Sequence, residues 1–244
     1  MSDFLIVLAF ATLPAAGNIA GGLIAEVFDV SDRALSLALH LAAGIVLAVV
    51  GLELVPRALD GTHPWIPVTS FIAGGALFIG LERLIDLAQN RLNTGEESAG
   101  PLAIFAGVSL DLFSDGVMIG TGTVINPALG LLLAAGQVPA DIPEGFAATA
   151  TLKRAGFAPR IRMLMAASFA VPVLLGATIG YLTLRQAPDT VTLSVLAATG
   201  GVLMSVIIEE VLTQAHEGPT SSWGPLMLTG GFGLFAFISV YITI

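Results

Sequence analysis

Two short stretches of the chain carry residues that could hold a metal ion. In DLFSDG, at residues 111–116, Asp111 and Asp115 stand four apart. In ADIPEG, at residues 140–145, Asp141 and Glu144 stand three apart. On an α-helix both spacings put the two carboxylates on one face. Carboxylates that converge repel one another unless a proton or a cation sits between them. Convergent oxygens without basic partners are what a divalent cation needs. Further acids line up elsewhere: Glu53, Glu82, and the adjacent Glu209 and Glu210.

The surrounding sequence is apolar. Of 244 residues, 55% are hydrophobic and 11% charged, with a mean hydropathy of +0.92. An ordinary soluble domain carries about a quarter charged residues. A soluble enzyme, a disordered tail and a nucleic-acid binder are excluded together, the last because it would need a basic stripe. Asp plus Glu outnumber Lys plus Arg by 18 to 9, a net charge of −9. Cysteine is absent, which removes disulfides, thiolate ligands and cysteine nucleophiles. No Lys or Arg precedes the first apolar run, and Asp3 is acidic. That run reads as a retained span and not as a cleavable signal.

A membrane-spanning helix needs about 20 mostly apolar residues. Eight stretches qualify: 4–24, 34–55, 65–84, 101–122, 128–152, 161–184, 191–214 and 224–243. The expected fold is all-α, one transmembrane domain over 1–244, because a helix satisfies its own backbone in lipid. The alternation of a β-barrel is missing. The longest connection, 85–100, has 16 residues and leaves no room for a soluble domain. Arg33, Arg83, Arg91, Lys153, Arg154, Arg160 and Arg162 fall on one side, and Arg57 and Arg185 on the other. This bias puts the odd connections in the cytoplasm and both termini outside. The expected location is a bacterial inner membrane.

Asp111, Asp115, Asp141 and Glu144 fall in the middle of spans four and five. An ionised carboxylate at the bilayer centre costs about 2.5–3.5 kcal/mol on insertion scales. Four of them with no Lys or Arg inside the spans must be protonated, solvated in a cavity, or paired with a cation. About five residues separate the two spans, so they should be antiparallel neighbours. Pro139 and Pro143 each remove a helical N–H, which predicts a broken helix with carbonyls freed toward an ion. Bland roles suit other residues. Glu82 beside Arg83 reads as an interfacial ion pair, Glu53 as solvated near the outer surface, and His40 as a polar core residue. His63 and His216 fall in connections. Gly21-Gly22, Gly74-Gly75, Gly200-Gly201 and Gly230-Gly231 read as helix packing contacts.

These motifs resemble the ZIP (Zrt/Irt-like) family of divalent metal transporters. ADIPEG is similar to its H/Q-x-x-P-E-G motif, and DLFSDG to its H-N-x-P-E/D-G motif. IIEEVLTQAHEG at 207–218 resembles an H-E-x-x-P-E segment, and GLERL at 80–84 the acidic-Arg end of span three. The resemblance covers most of the chain. It implies a metal site between spans four and five, with Asp111 where His is usual and Asp115 and Glu144 at the shared carboxylate positions. Asp141 matches a second-metal ligand, and Glu209, Glu210 and Glu82 match acids on the cytoplasmic exit. Leu112 replaces the usual Asn, Ala140 the usual His or Gln, and Val171-Pro172 a frequent Glu-Pro. One principal site is therefore expected. The third connection has no His, so a metal-collecting loop is unsupported.

The expected function is import of a divalent metal cation, passing Glu53, then Asp111, Asp115, Asp141 and Glu144, then Glu209, Glu210 and Glu82. The resemblance favours zinc or another transition metal such as iron. An all-oxygen ligand set favours manganese. The metal (Zn²⁺, Mn²⁺ or Fe²⁺) is substrate, and no cofactor is expected. The expected partners are that ion and the lipid bilayer, with a homodimer allowed and nucleic acid excluded. An enzyme is not expected: the G-x-G-D motif of membrane aspartyl proteases is missing, and a head-group transferase would need basic residues in the spans. The alternatives are a Na⁺- or H⁺-coupled carrier with a carboxylate proton relay, and a metal-binding membrane sensor.

Overall fold

The structure is a computed structural model that describes residues 2–28, 31–61, 63–91, 96–216 and 222–242. Those residues form eight long helices. They are α1 (Ser2–Val27), α2 (Asp32–Leu59), α3 (Trp65–Arg91), α4 (Glu96–Ile125), α5 (Pro127–Arg154), α6 (Pro159–Leu184), α7 (Asp189–His216) and α8 (Gly224–Ile242). The chain is an integral membrane protein with multiple spans. Large apolar side chains such as Ile72 and Leu77 on α3 and Leu226 and Phe237 on α8 stand exposed on the outside of the bundle, as a lipid-facing surface requires.

Seven of these helices are long and apolar enough to cross a membrane; α5 is not among them. Helix α5, the fifth expected span, is long enough, at 28 residues. Its apolar run is interrupted by Gln137, Asp141, Glu144 and two prolines. The helix that carries half of the acid cluster is thus the least greasy of the set.

Three expectations about local structure change. The connection placed at 85–100 is largely helical, since α3 extends to Arg91 and α4 begins at Glu96; residues 92–95 lie outside the described residues. The break expected at Pro139 and Pro143 does not occur, and α5 runs through both. Helix α1 packs closely along this stretch, with Gly17 and Gly21 directly against the carbonyls of Val138 and Ile142. The turn between α4 and α5 is one residue, Asn126, and not about five. Its side chain accepts a hydrogen bond from the Ala128 N–H at 2.9 Å, and Pro127 occupies the first helical position. Both are strong helix-start signals, and together they make a tight antiparallel hairpin of the two acid-bearing helices.

The helices associate in pairs: α1 with α5, α4 with α6, α3 with α7, and α2 with α8. Helices α1, α4, α5 and α6 form one group and α2, α3, α7 and α8 the other, joined where α2 meets α5 and α4 meets α7. Glycine sets each seam. Gly21 abuts the Ile142 carbonyl, Gly116 that of Val173, Gly74 that of Ala198 and Gly231 that of Leu41. Both glycines of the first three doublets and Gly231 of the fourth serve the packing role expected of them, while Gly230 faces open space. Two π-helical turns interrupt the second group, Val49–Leu54 in α2 and Ile207–Val211 in α7. Such turns are frequent at functional sites, and here the first carries Glu53 and the second Glu209 and Glu210.

Because the α1–α5 contact is backbone against backbone, Gly21→Val should destabilise the protein by about 1–3 kcal/mol, the usual cost of overpacking a tight interface. Gly230→Val should leave stability unchanged. Thermal unfolding of the two variants in detergent checks this.

Candidate metal site

The α4–α5 hairpin brings the two acidic motifs together. Asp111, Asp141 and Glu144 each offer a carboxylate oxygen, and these oxygens lie within 4.8 Å of one another with all three residues buried. The carboxyl groups of Asp111 and Glu144 face each other within this cluster. Asp115 follows Asp111 by one turn and is 0% exposed. Asp111, Asp115 and Asp141 all act electrostatically on Glu144, and no Lys or Arg among the described residues offsets them. Such groups inside a bilayer mark ion or proton pathways.

Two amides hold the carboxylates in place. Gln137 donates through Nε2 to Asp115 Oδ1. Asn18 of α1 donates through Nδ2 to Asp141 Oδ1 at 3.2 Å. Gly145 lets this happen, because its Cα lies against the Asn18 carbonyl; a side chain there would push α1 away. Sequence reasoning missed both amides. Gln137 was legible: with Asp141 and Glu144 it completes an i, i+4, i+7 stripe. Asn18 was not, since nothing in the sequence states which face of which helix meets α5.

Outside the cluster the acids differ in setting. Glu210 is half-buried, with its carboxylate lying over Gly107 of α4, and it is within electrostatic reach of Asp111 and Glu82. Glu209, beside it on the π turn, is exposed, and Glu82 is half-buried. Glu53 stands apart from the cluster. It is buried, pairs with Arg57 one turn on at 2.9 Å, and accepts a hydrogen bond from Ser239 Oγ of α8. His40 is buried, with Nδ1 at 2.7 Å from the Ser36 carbonyl, and its ring meets His216 edge-on at 5.0 Å. His216 is the last residue of α7 and not part of a connection.

No protein-family model matches the chain. Individual proteins do. Zinc transporter ZupT from Salmonella typhimurium, from Salmonella typhi and from Salmonella newport are each 28% identical to it over 198 residues, 77% of this chain and 77% of theirs. Over that length the chain is similar to the ZupT zinc transporters. The similarity to ZupT covers 77% of the chain and is not confined to the two acidic motifs. The geometry adds that the motif carboxylates meet in one buried pocket, and that α1 contributes to it through Asn18.

Removing a carboxylate from this pocket should cost cation binding outright. Asp141→Ala and Glu144→Ala should each weaken binding of Zn²⁺ or Mn²⁺ by about 100-fold or more, the upper end of what loss of a supporting group costs a metal site. Glu53→Gln, outside the pocket, should bind as the unmodified protein does. Calorimetric titration of the purified full chain with each ion makes the comparison.

Proposed function

We propose that this protein carries a divalent metal cation across the membrane, toward the cytoplasm, through the buried carboxylate site. The observation that carries the reading is the convergence of Asp111, Asp141 and Glu144 beside a fully buried Asp115, with no basic partner among the described residues. A fixed cationic side chain would satisfy such a pocket permanently. A pocket without one is satisfied only by something that comes and goes. The curated relatives are zinc transporters by name, and Zn²⁺, Mn²⁺ and Fe²⁺ are the substrates this reading proposes.

The cation loses water to Asp111, Asp115, Asp141 and Glu144, then leaves past Glu210, Glu82 and the exposed Glu209. Glu210 is the first step of that exit, since it feels the charge of Asp111. Glu53 has no part in the route, because Arg57 and Ser239 already engage it. Access alternates as the group α1, α4, α5 and α6 moves against α2, α3, α7 and α8, the division that the helix pairing supports. Metal binding displaces protons from the carboxyl groups. The protein sits in a bacterial inner membrane with both termini outside, the orientation that the basic residues favour, alone or as a homodimer.

Uptake into proteoliposomes tests the reading. The unmodified protein should pass Zn²⁺ or Mn²⁺, and Asp115→Ala and Glu144→Ala should abolish the flux. Undiminished flux in both variants would remove the site from the pathway.

A further inference from the structure

Four buried side-chain atoms among the described residues have no hydrogen-bond partner: Asn18 Oδ1, Gln137 Oε1, Asp115 Oδ2 and Asp141 Oδ2. All four are oxygens, and all belong to the two amide–carboxylate links of the site. In each link the amide gives its NH₂ to one carboxylate oxygen. That leaves the amide carbonyl and the second carboxylate oxygen bare. Asn18 is 0% exposed and Gln137 1%, so solvent does not serve them. An unserved buried acceptor is costly, and four of them beside one carboxylate cluster point to a cation as their partner.

We infer that Asn18 and Gln137 supply neutral oxygen ligands to the transported cation and thereby bias the site toward oxygen-preferring divalent ions of the Mn²⁺ class. The inference rests on the transport reading above. Neither residue lies in the two acidic motifs at 111–116 and 140–145. Gln137 sits one turn before Asp141 on α5, and Asn18 reaches in from α1. With them the donor set is carboxylate and amide oxygen throughout, with no imidazole or thiolate. Carboxylate and carbonyl ligands suit Mn²⁺, whereas zinc sites draw on His and Cys. A purely structural role for the amides, holding Asp115 and Asp141 in place, would affect every divalent ion alike. A ligand role would not, and the ratio between ions separates the two.

The test is initial uptake of Mn²⁺ and of Zn²⁺ by full-length protein in proteoliposomes, each as kcat/KM. Asn18→Leu and Gln137→Leu should lower Mn²⁺ uptake about 10-fold more than Zn²⁺ uptake, a step within the range of ligand-shell changes. Gln137→His, which puts a nitrogen donor in the pocket, should shift the ratio toward Zn²⁺ by a similar factor. Gln137→Glu, which keeps an oxygen at that reach, should keep the preference of the unmodified protein, and it carries the test with Gln137→His if the leucine variants do not fold. Equal losses for both ions, or an unmoved ratio in the histidine variant, overturn the inference. Glu144→Ala is the control. Normal transport by that variant defeats the transport site itself, whereas abolished transport with an unmoved ratio in the amide variants defeats only the role of Asn18 and Gln137.

Discussion

Negative charge buried without fixed positive charge is the constraint around which this bundle is built. Asp111, Asp115, Asp141 and Glu144 are all buried between α4 and α5. In a medium of low polarity, like charges at this separation cannot all persist. No arginine among the described residues relieves them. The fold relieves them in part with two amide N–H groups, which bring dipoles but no charge. The pocket stays short of positive charge by design of its neighbours, and that shortfall is its affinity for a cation.

Keeping such a pocket closed to lipid and water depends on close helix contact. The one-residue turn at Asn126 holds α4 and α5 side by side. The glycines of α1 and α5 let the two backbones touch, and only that approach carries Asn18 to Asp141. The same small residues that cost a helix some intrinsic stability are what let neutral and acidic side chains meet at this depth. Gly107 does a related job, leaving room above α4 for the Glu210 carboxylate. Packing and chemistry are here one property, since a methyl group at Gly145 would meet the Asn18 backbone and shift the amide that holds Asp141.

The basic residues follow the opposite rule. Arg162 grips Glu26 at 2.5 Å and 2.7 Å and also reaches the Phe157 carbonyl, tying the end of α1 to the start of α6. Arg154 meets Asp32 at 2.7 Å across the α1–α2 and α5–α6 ends. Arg57 answers Glu53 near the end of α2. Glu26, Asp32 and Glu53 thus have bases, where a long guanidinium can keep contact with the polar boundary. Among the described residues no base pairs with Asp111, Asp115, Asp141 or Glu144. That segregation turns an excess of acid over base into a localised deficit of positive charge.

The sequence by itself determined the class of the protein, the helical spans and the acid motifs. Each depends on local properties: run length, apolar content, and spacing of three or four along a helix. It also made Gln137 readable, because Gln137, Asp141 and Glu144 share one face of one helix. The tertiary structure alone decided which faces meet. It showed that α5 stays helical through Pro139 and Pro143, with α1 packed along it. It showed that Glu53 is engaged by Arg57 and by Ser239, which is 186 residues away. It placed Asn18 on Asp141 across 123 residues of chain. No periodicity encodes such contacts: they follow from how eight helices divide a limited volume, and small residues far apart in the chain set how closely each pair can approach.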